Sequence, residues 1–238
     1  MTRRRWIADE VAGSRAALIG AHADHLIRVL RARLGQEFDI STGNEVRRGR
    51  LSGISDSRVE FELGEQVPAD GPMPVTLALS IFKFDRMEWA IEKCAELGVA
   101  RVVPVVARRT ESHLAAAAAK RTERWQRIAR QASEQSRRPS PPEISQPIKL
   151  KDAVTLPGST RILLSEAEQE VTLKDALQSH VPDGDIVLAL GPEGGWAEAE
   201  LALFRDAGWS SVSLGPTILR AETAAIAATA VLLAELGR

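Results

Sequence analysis

The sequence predicts an α/β domain with a mainly parallel sheet, preceded by a small all-β domain. Short runs of alternating apolar and polar residues occur within the first 70 positions, and beyond position 73 apolar runs of strand length alternate with longer helical segments. A segment with three prolines and a glycine, residues 67–74, separates the two patterns and indicates an extended connector. We therefore assign residues 1–70 to the first domain and residues 73–238 to the second.

The first domain is predicted from three short runs, residues 37–41, 49–54 and 58–63, separated by Gly, Asn, Asp and Ser turns. Alternating runs of this length are typical of a small β-barrel or a β-sandwich. One helix is expected near residues 24–31.

Strands and helices alternate through the second domain. The predicted strands span residues 75–82, 101–107, 161–165, 185–190 and 211–214. The predicted helices span residues 85–97, 120–135, 172–180, 197–207 and 222–236. Five alanines at 115–119 are compatible with helix or with a surface segment, and four prolines within 138–147 predict an extended loop.

The helix predicted over 85–97 has an apolar stripe at helical spacing, formed by Met87, Ile91, Cys94 and Leu97. Asp85 followed by Glu88 resembles a capping box at its start, and Gly98 suits a left-handed stop. Cys94, the one cysteine of the chain, is expected to be a buried small hydrophobe. The last helix is apolar on most of its circumference, so we expect it to be buried on more than one side, in the core or against another subunit.

The net charge of −1 conceals a segregation of charge along the chain. Residues 1–50 carry ten Lys and Arg against six Asp and Glu, and residues 101–140 carry ten against three. If these two blocks meet in space they form a basic face that could neutralise phosphates; the alternative is an ordinary solvated surface. The sequence contains no apolar stretch of membrane-spanning length and no signal peptide, which predicts a cytoplasmic protein.

Two glycine-containing segments directly follow predicted strands, residues 190–196 (LGPEGGW) and 214–224 (LGPTILRAETA). Ligands bind at the carboxyl ends of strands in open α/β sheets, and glycines there let the backbone approach a ligand closely. The alternative is that these Gly-Pro turns only connect strands to helices. The sequence has no P-loop, no G-x-G-x-x-G, no G-x-S-x-G and no His or Cys spacing suited to a metal, so we expect no metal site.

The order and spacing of these segments resemble the RsmE family of RNA methyltransferases. The glycine segments resemble the paired C-terminal motifs of that family, and KFDRMEW at 83–89 with EK at 92–93 and ELGV at 96–99 resembles its first catalytic-domain motif. EQS at 134–136 resembles its middle motif, and HLIRVLR at 25–31 resembles part of its small RNA-binding domain. The resemblance extends over nearly the whole chain.

The resemblance implies a trefoil-knotted SPOUT methyltransferase domain over 73–238 and a PUA-like β-barrel RNA-binding domain over 1–70. It implies S-adenosylmethionine as cofactor, a homodimer, and 16S ribosomal RNA or the small ribosomal subunit as partner. The implied reaction is methylation at N3 of a uridine in the decoding region.

The motifs also suggest functions for individual residues. Arg220 is the first candidate, and Arg86 the second, to stabilise the negative charge that develops on the uracil carbonyl oxygens. Glu222 and Glu193 are candidate bases, although Glu222 could equally cap the last helix. The expected cofactor-binding residues are Leu164, Ser165, Glu166, Leu190, Gly191, Pro192, Glu193, Gly194, Gly195, Leu214, Gly215, Ile218, Leu219 and Thr223. Candidates for phosphate contacts are Arg3, Arg4, Arg5, Arg28, Arg31, Arg47, Arg48, Lys83, Arg108, Arg109, Arg130, Arg137 and Arg138.

Three other functions compete with this interpretation. A non-catalytic RNA-binding or ribosome-assembly factor could keep the fold without the chemistry, although the cofactor motifs are intact. A related knotted enzyme could methylate a 2′-hydroxyl or guanine N1 instead. A small-molecule nucleotide-binding enzyme would need a phosphate loop that the sequence lacks.

Overall fold

The computed structural model describes residues 5–43, 45–179 and 184–237. The chain divides into two compact units: unit 1 is formed by Met1–Gly71 with Ser133–Pro141, and unit 2 by Pro72–Ala132 with Pro142–Arg238. The sequence had assigned residues 133–141 to the second domain, whereas the structure groups them with unit 1.

Unit 1 is built around one curled six-stranded sheet. Its strands are β1 (Arg5–Ile7), β2 (Glu10–Ala12), β3 (Arg15–Ile19), β4 (Glu37–Ser41), β5 (Val46–Ser55) and β6 (Arg58–Val67), in the order β1-β4-β5-β6-β3-β2. Among the strand pairings that the structure describes in this sheet, β1 with β4 is parallel and the others are antiparallel. Ala8 and Asp9 alone separate the edge strands β1 and β2. The end of β1 and the start of β2 therefore lie within about 11 Å of each other.

The interior of this sheet is closed by apolar side chains at alternate positions. Leu18, Ile40, Val59 and Phe61 are completely buried, and the short helix α1 (Ala21–Asp24) continues into a π-helical turn over His25–Val29. The sequence predicted the strands from residue 37 onward and a helix in this region. It missed β1, β2 and β3, which have three to five residues each.

Unit 2 contains a seven-stranded sheet that is parallel throughout its described pairings, which confirms the predicted α/β class. The strands are β7 (Met73–Ser80), β8 (Val99–Val106), β9 (Glu143–Ile144), β10 (Ile148–Lys149), β11 (Thr160–Leu164), β12 (Ile186–Leu190) and β13 (Ser210–Val212). The order is β10-β8-β7-β12-β11-β13, with β9 beside β8. The short strand β9 lies within residues 138–147, which were predicted as an extended loop, and β10 directly follows them.

Both faces of this sheet are covered. The helices are α2 (Phe84–Glu96), α3 (Ser112–Gln135), α4 (Leu150–Ala153), α5 (Leu173–Ser179), α6 (Glu198–Asp206) and α7 (Ala221–Glu235). In β12, Ile186, Leu188 and Leu190 face the core that includes residues of α2, α3, α5 and α7, whereas Val187 and Ala189 face the core that includes residues of α4 and α6. Burial on both faces explains why these strands are continuous apolar runs.

Helix α2 follows the predicted stripe but not the predicted start. Lys83 is its N-cap residue and makes no side-chain cap, so the capping box of Asp85 and Glu88 was wrong. Glu88 instead accepts two hydrogen bonds from Arg124, from Nε at 2.6 Å and from Nη2 at 2.8 Å. The predicted left-handed residue after the helix is confirmed, because Gly98 has a φ of 103°.

Helix α7 contacts α2 and α5. Ala225, Ala228 and Leu232 are completely buried in that contact face, and Thr229 lies 3.5 Å from the thiol of Cys94. Cys94 is a buried free cysteine, as predicted. Ile226, Val231 and Leu233, on the remaining circumference, are only partly buried.

Candidate active site

A cavity of about 370 Å³ lies beyond the carboxyl ends of the central strands of unit 2. Its wall combines three loops, which follow β11, β12 and β13, with Arg86 from the first turn of α2. Because the strands are parallel, their carboxyl ends lie at one edge of the sheet and bring these distant segments together. The two glycine segments that the sequence singled out form most of the wall.

The loop after β12 is a tight turn, in which the amide of Gly195 donates to the carbonyl of Pro192 at 2.8 Å. Gly195 has a φ of 69°, in the left-handed region that favours glycine. Trp196 closes the turn, and its indole Nε1 donates to the carbonyl of Leu164 at 2.9 Å. The loops after β11 and β12 are thereby tied together beneath the cavity.

Gly191 and Gly195 are also places of close approach. A Cβ atom at Gly191 would lie 3.2 Å from Nε1 of Trp196. A Cβ atom at Gly195 would lie 2.2 Å from Oε1 of Glu166, so the Glu166 carboxylate rests directly against the glycine backbone. Glu166 is exposed and lines the cavity. A side chain at either position would therefore have to displace a neighbour, Trp196 at Gly191 and the Glu166 carboxylate at Gly195.

The loop after β13 leads into α7. Gly215 has a φ of 112°, and Arg220 is the N-cap residue of α7, whose carbonyl accepts the amide of Ala224 at 2.8 Å. Ile218, at the cavity wall, is 84% exposed. This loop therefore presents backbone groups and an uncovered apolar side chain to the cavity.

One ion cluster lies at the cavity and joins three elements of unit 2. Nη1 of Arg86 donates to Oε1 of Glu193 at 2.6 Å, and Nε of Arg86 lies 3.8 Å from Oε1 of Glu222. The first contact is a hydrogen-bonded ion pair, whereas the second is too long for a hydrogen bond. Glu222 is only 3% exposed, and its second oxygen, Oε2, is buried without a partner among the described residues.

Most of the predicted cofactor-binding residues lie at this cavity. Of the fourteen, twelve form part of its wall; Gly194 and Thr223 do not. The carbonyl of Gly194 instead accepts a hydrogen bond from Nη1 of Arg109 at 2.6 Å, and Thr223 is exposed on α7. Arg86 and Arg220 line the cavity, whereas Glu222 reaches it only through its ion pair with Arg86.

The structure adds wall residues that were absent from the predicted set. These are Trp196, Ser213, Pro216, Thr217, Ala221 and Ala224. All lie inside or directly beside the glycine segments, so extending the predicted site to every residue of those segments would have found them. The role of Trp196 as the tie to Leu164 depends on a contact 32 residues away in sequence.

The candidates for phosphate contacts differ in exposure. In unit 1, Arg28 and Arg31 are exposed, with Arg28 paired to Asp24 at 3.3 Å, whereas Arg138 is buried and its pKa is lowered to about 10 by desolvation. Burial also lowers the pKa of Arg5, which donates to the carbonyl of Arg137. Arg47 and Arg48 pair with Glu45 and Asp39. Arg3 and Arg4 lie outside the described residues.

In unit 2, Lys83, Arg108 and Arg109 are exposed and Arg130 is half-buried. Arg109 lies beside the loop after β12 through its bond to Gly194. Across the described ranges, no group of three or more His, Cys, Asp or Glu could hold a metal ion. None of the helices in those ranges has the length and apolarity needed to cross a membrane.

A parallel α/β unit with a glycine-lined cavity at its carboxyl edge can be compared with known proteins. The profile of the RNA methyltransferase domain family matches residues 69–233, more than half of the chain. The fold, the site and this match assign the chain to the class of RNA methyltransferase domains.

Individual proteins of similar sequence identify the family within this class. The ribosomal RNA small subunit methyltransferase E of Synechocystis is 34% identical over 93% of this chain and 74% of its own length, and that of Aquifex aeolicus is 33% identical over 87% and 89%. The crystal structure of the Neisseria gonorrhoeae protein of that name, bound to S-adenosyl methionine, has a TM-score of 0.86 at 33% identity and covers 97% of both chains. A Legionella pneumophila structure with bound SAM has a TM-score of 0.85 at 29% identity and covers 98% of both.

The chain belongs to the ribosomal RNA small subunit methyltransferase E family, the RsmE family. The resemblance identified in its sequence motifs is confirmed.

Proposed function

We propose that the protein transfers a methyl group from S-adenosylmethionine to N3 of a uridine in the decoding region of 16S ribosomal RNA. The observation that carries this proposal is the cavity formed by both glycine segments at the carboxyl edge of the parallel sheet. The Neisseria gonorrhoeae relative, which covers 97% of this chain, was solved with S-adenosyl methionine.

The residues of the cavity suit that cofactor. A volume of about 370 Å³ lies within the range of small-ligand sites, about 300–1,000 Å³. The loops after β12 and β13 bring backbone amides and carbonyls to its wall, where a purine and an amino-acid group can be hydrogen-bonded. The carboxylate of Glu166 adds negative charge beside a ligand whose sulfonium is positive.

The bound cofactor supplies an electrophilic methyl group. The protein must hold the uracil N3 in line with that methyl and help to remove the N3 proton. As the proton leaves, negative charge spreads onto the uracil carbonyl oxygens, where the guanidinium of Arg220 or Arg86 would stabilise it. Glu222 remains a candidate base, although it does not form part of the cavity wall.

Membership of the RsmE family also suggests the chain path, the type of the first domain and the oligomeric state. We propose that the chain path of residues 73–238 forms the trefoil knot and that residues 1–70 form a PUA-like RNA-binding domain, for which the curled sheet of unit 1 is suitable. We also propose a cytoplasmic homodimer, in which Ile226, Val231 and Leu233 of α7 would be covered by a second copy.

The test is transfer of labelled methyl to 16S RNA and to small ribosomal subunits from cells that lack the modification. Nuclease digestion and nucleoside analysis then identify the product. N3-methyluridine is expected. A methylated 2′-hydroxyl or guanine would identify a different acceptor, and cofactor binding without transfer would favour the non-catalytic assembly factor.

A further inference from the structure

The two arginines of the cavity are held very differently. Arg86 is bonded to Glu193 and paired with Glu222. Arg220 is exposed, and its side chain forms no hydrogen bond or ion pair with any residue in the described ranges. A guanidinium that is fixed before the substrate arrives stabilises developing charge without a cost of reorganisation. Arg86 meets that condition and Arg220 does not.

The contacts of Arg86 also leave part of its guanidinium available. A guanidinium has five N–H donors in a fixed plane. The two carboxylates are met by Nη1 and Nε, so Nη2 is left without a partner within the described chain. Since Arg86 forms part of the cavity wall, the remaining donors can serve a bound ligand.

The carboxylates explain why Arg86 adopts one orientation. Glu193 comes from the loop after β12 and Glu222 from the first turn of α7, while Arg86 itself is on α2. Three elements of the parallel unit therefore fix one side chain. Glu222 is 3% exposed with its Oε2 unpartnered among described residues, so the ion pair with Arg86 is the charged contact that offsets its burial.

We propose that Arg86 is the catalytic residue that stabilises the uracil oxyanion, and that Glu193 and Glu222 are positioning residues for Arg86 rather than a cofactor ligand and a base. This assignment rests on the proposed function. In the transfer, N3 gives its proton to water and bonds to the methyl carbon, while the sulfur–carbon bond breaks and leaves its electron pair on sulfur. Arg86 donates throughout to one of the two carbonyl oxygens that flank N3.

Three variants test the assignment: Glu193→Gln, Arg86→Lys and the double variant. Glu198→Gln is the matched control, because Glu198 is an exposed carboxylate on α6 whose ion pair with Arg205 is long, at 3.9 Å. The measurements are the single-turnover rate of methyl transfer, the Kd for S-adenosylmethionine, and the ¹⁵N NMR signals of the Arg86 guanidinium. Thermal unfolding checks that each variant is folded.

We expect Glu193→Gln to lower the single-turnover rate about ten- to hundredfold, since small misplacement of a catalytic group costs up to about 10²-fold. The Kd for S-adenosylmethionine should change less than about twofold, because Glu193 makes no essential contact with the cofactor in this assignment. The Nη1–H signal of Arg86, the group that donates to Glu193, should exchange faster with water. The double variant should be no slower than Arg86→Lys, because Glu193 acts through Arg86. Glu198→Gln should match the wild type.

Two results would overturn the assignment. A rise in cofactor Kd in proportion to the loss of rate, with the Arg86 signal unchanged, would make Glu193 a cofactor ligand. If the losses of single-turnover rate of the two single variants multiplied in the double variant, Glu193 and Arg86 would act independently. Absence of methyl transfer by the wild-type protein would defeat the proposed function and the catalytic role of Arg86 together, whereas a response of the Arg86 signal to Glu193→Gln would still support positioning.

Discussion

Substitution of Gly195 by alanine tests whether the glycine is required by the cavity. Its φ of 69° places a Cβ in a left-handed conformation, which costs an L-residue about 1–2 kcal/mol. For a domain of this size each kcal/mol lowers Tm by about 2–4 °C, so a fall of about 2–8 °C is expected. The new Cβ would also lie 2.2 Å from Oε1 of Glu166 and must displace that carboxylate from the cavity wall.

The displacement of Glu166 should appear as weaker cofactor binding. A hydrogen bond to a charged group contributes about 1.5–3 kcal/mol, which corresponds to an increase in Kd of about ten- to hundredfold. Calorimetric titration with S-adenosylmethionine measures it.

Gly215→Ala is the control for backbone strain. Gly215 also has a positive φ, 112°, but a Cβ there would meet nothing within 4 Å. Gly215→Ala should therefore lower Tm with a smaller change in Kd. If Gly195→Ala and Gly215→Ala bound the cofactor equally well, or if Gly195→Ala weakened binding as strongly in a Glu166→Ala background, the role given to Glu166 would be refuted.

Three further experiments test other parts of the structure. Trp196→Phe keeps a ring against Phe204 but removes the bond to the Leu164 carbonyl, so urea unfolding should show a loss of about 1 kcal/mol; no loss would remove its role as a tie. Burial raises the pKa of Cys94 to about 12 from an ordinary 9.0, so the folded state favours the neutral thiol. Stability should be unaffected by this group below pH 9 and fall above it, as the unfolded chain ionises first, by about 1.4 kcal/mol per pH unit; Cys94→Ala should abolish that extra slope, and an unchanged slope would contradict it. Neutralising Arg28 and Arg31 together should weaken RNA binding and reduce the slope of log K against log salt by about 1–2; unchanged affinity and slope would exclude that surface from RNA docking.

The helices and strands of unit 2 could be predicted closely because both faces of its sheet are buried and the apolar runs are long. Helix α3 was predicted to begin at residue 120 but begins at Ser112. The intervening alanines have high helix propensity but no polar–apolar periodicity to reveal a face. The inner side of this first part of α3 is marked by the burial of Leu114 and Ala118, and that burial depends on tertiary structure.

Unit 1 was less predictable for two physical reasons. Strands β1 and β2 have three residues each, which is too short for an alternating pattern to stand out from chance. Residues 133–141 group with unit 1 although they follow a helix that begins in unit 2. Long-range contacts hold these residues in unit 1; for example, the Ser41 hydroxyl donates to the carbonyl of Pro139, 98 positions away. Such contacts leave no local pattern in the sequence.

The backbone of the site was predictable and the orientation of its charged side chains was not. Glycine and proline at the ends of strands indicate a ligand-binding edge from local sequence alone. From the sequence alone, Arg220 is the first candidate and Arg86 the second, and nothing in the local sequence indicates how firmly either side chain is held. The ion pair that fixes Arg86 joins residues 107 positions apart, so it becomes visible only once β7 and β12 are neighbours in the sheet. Since a fixed charge is more effective than a mobile one at a developing oxyanion, the pairing of strands that creates the cavity also determines which arginine can act in it.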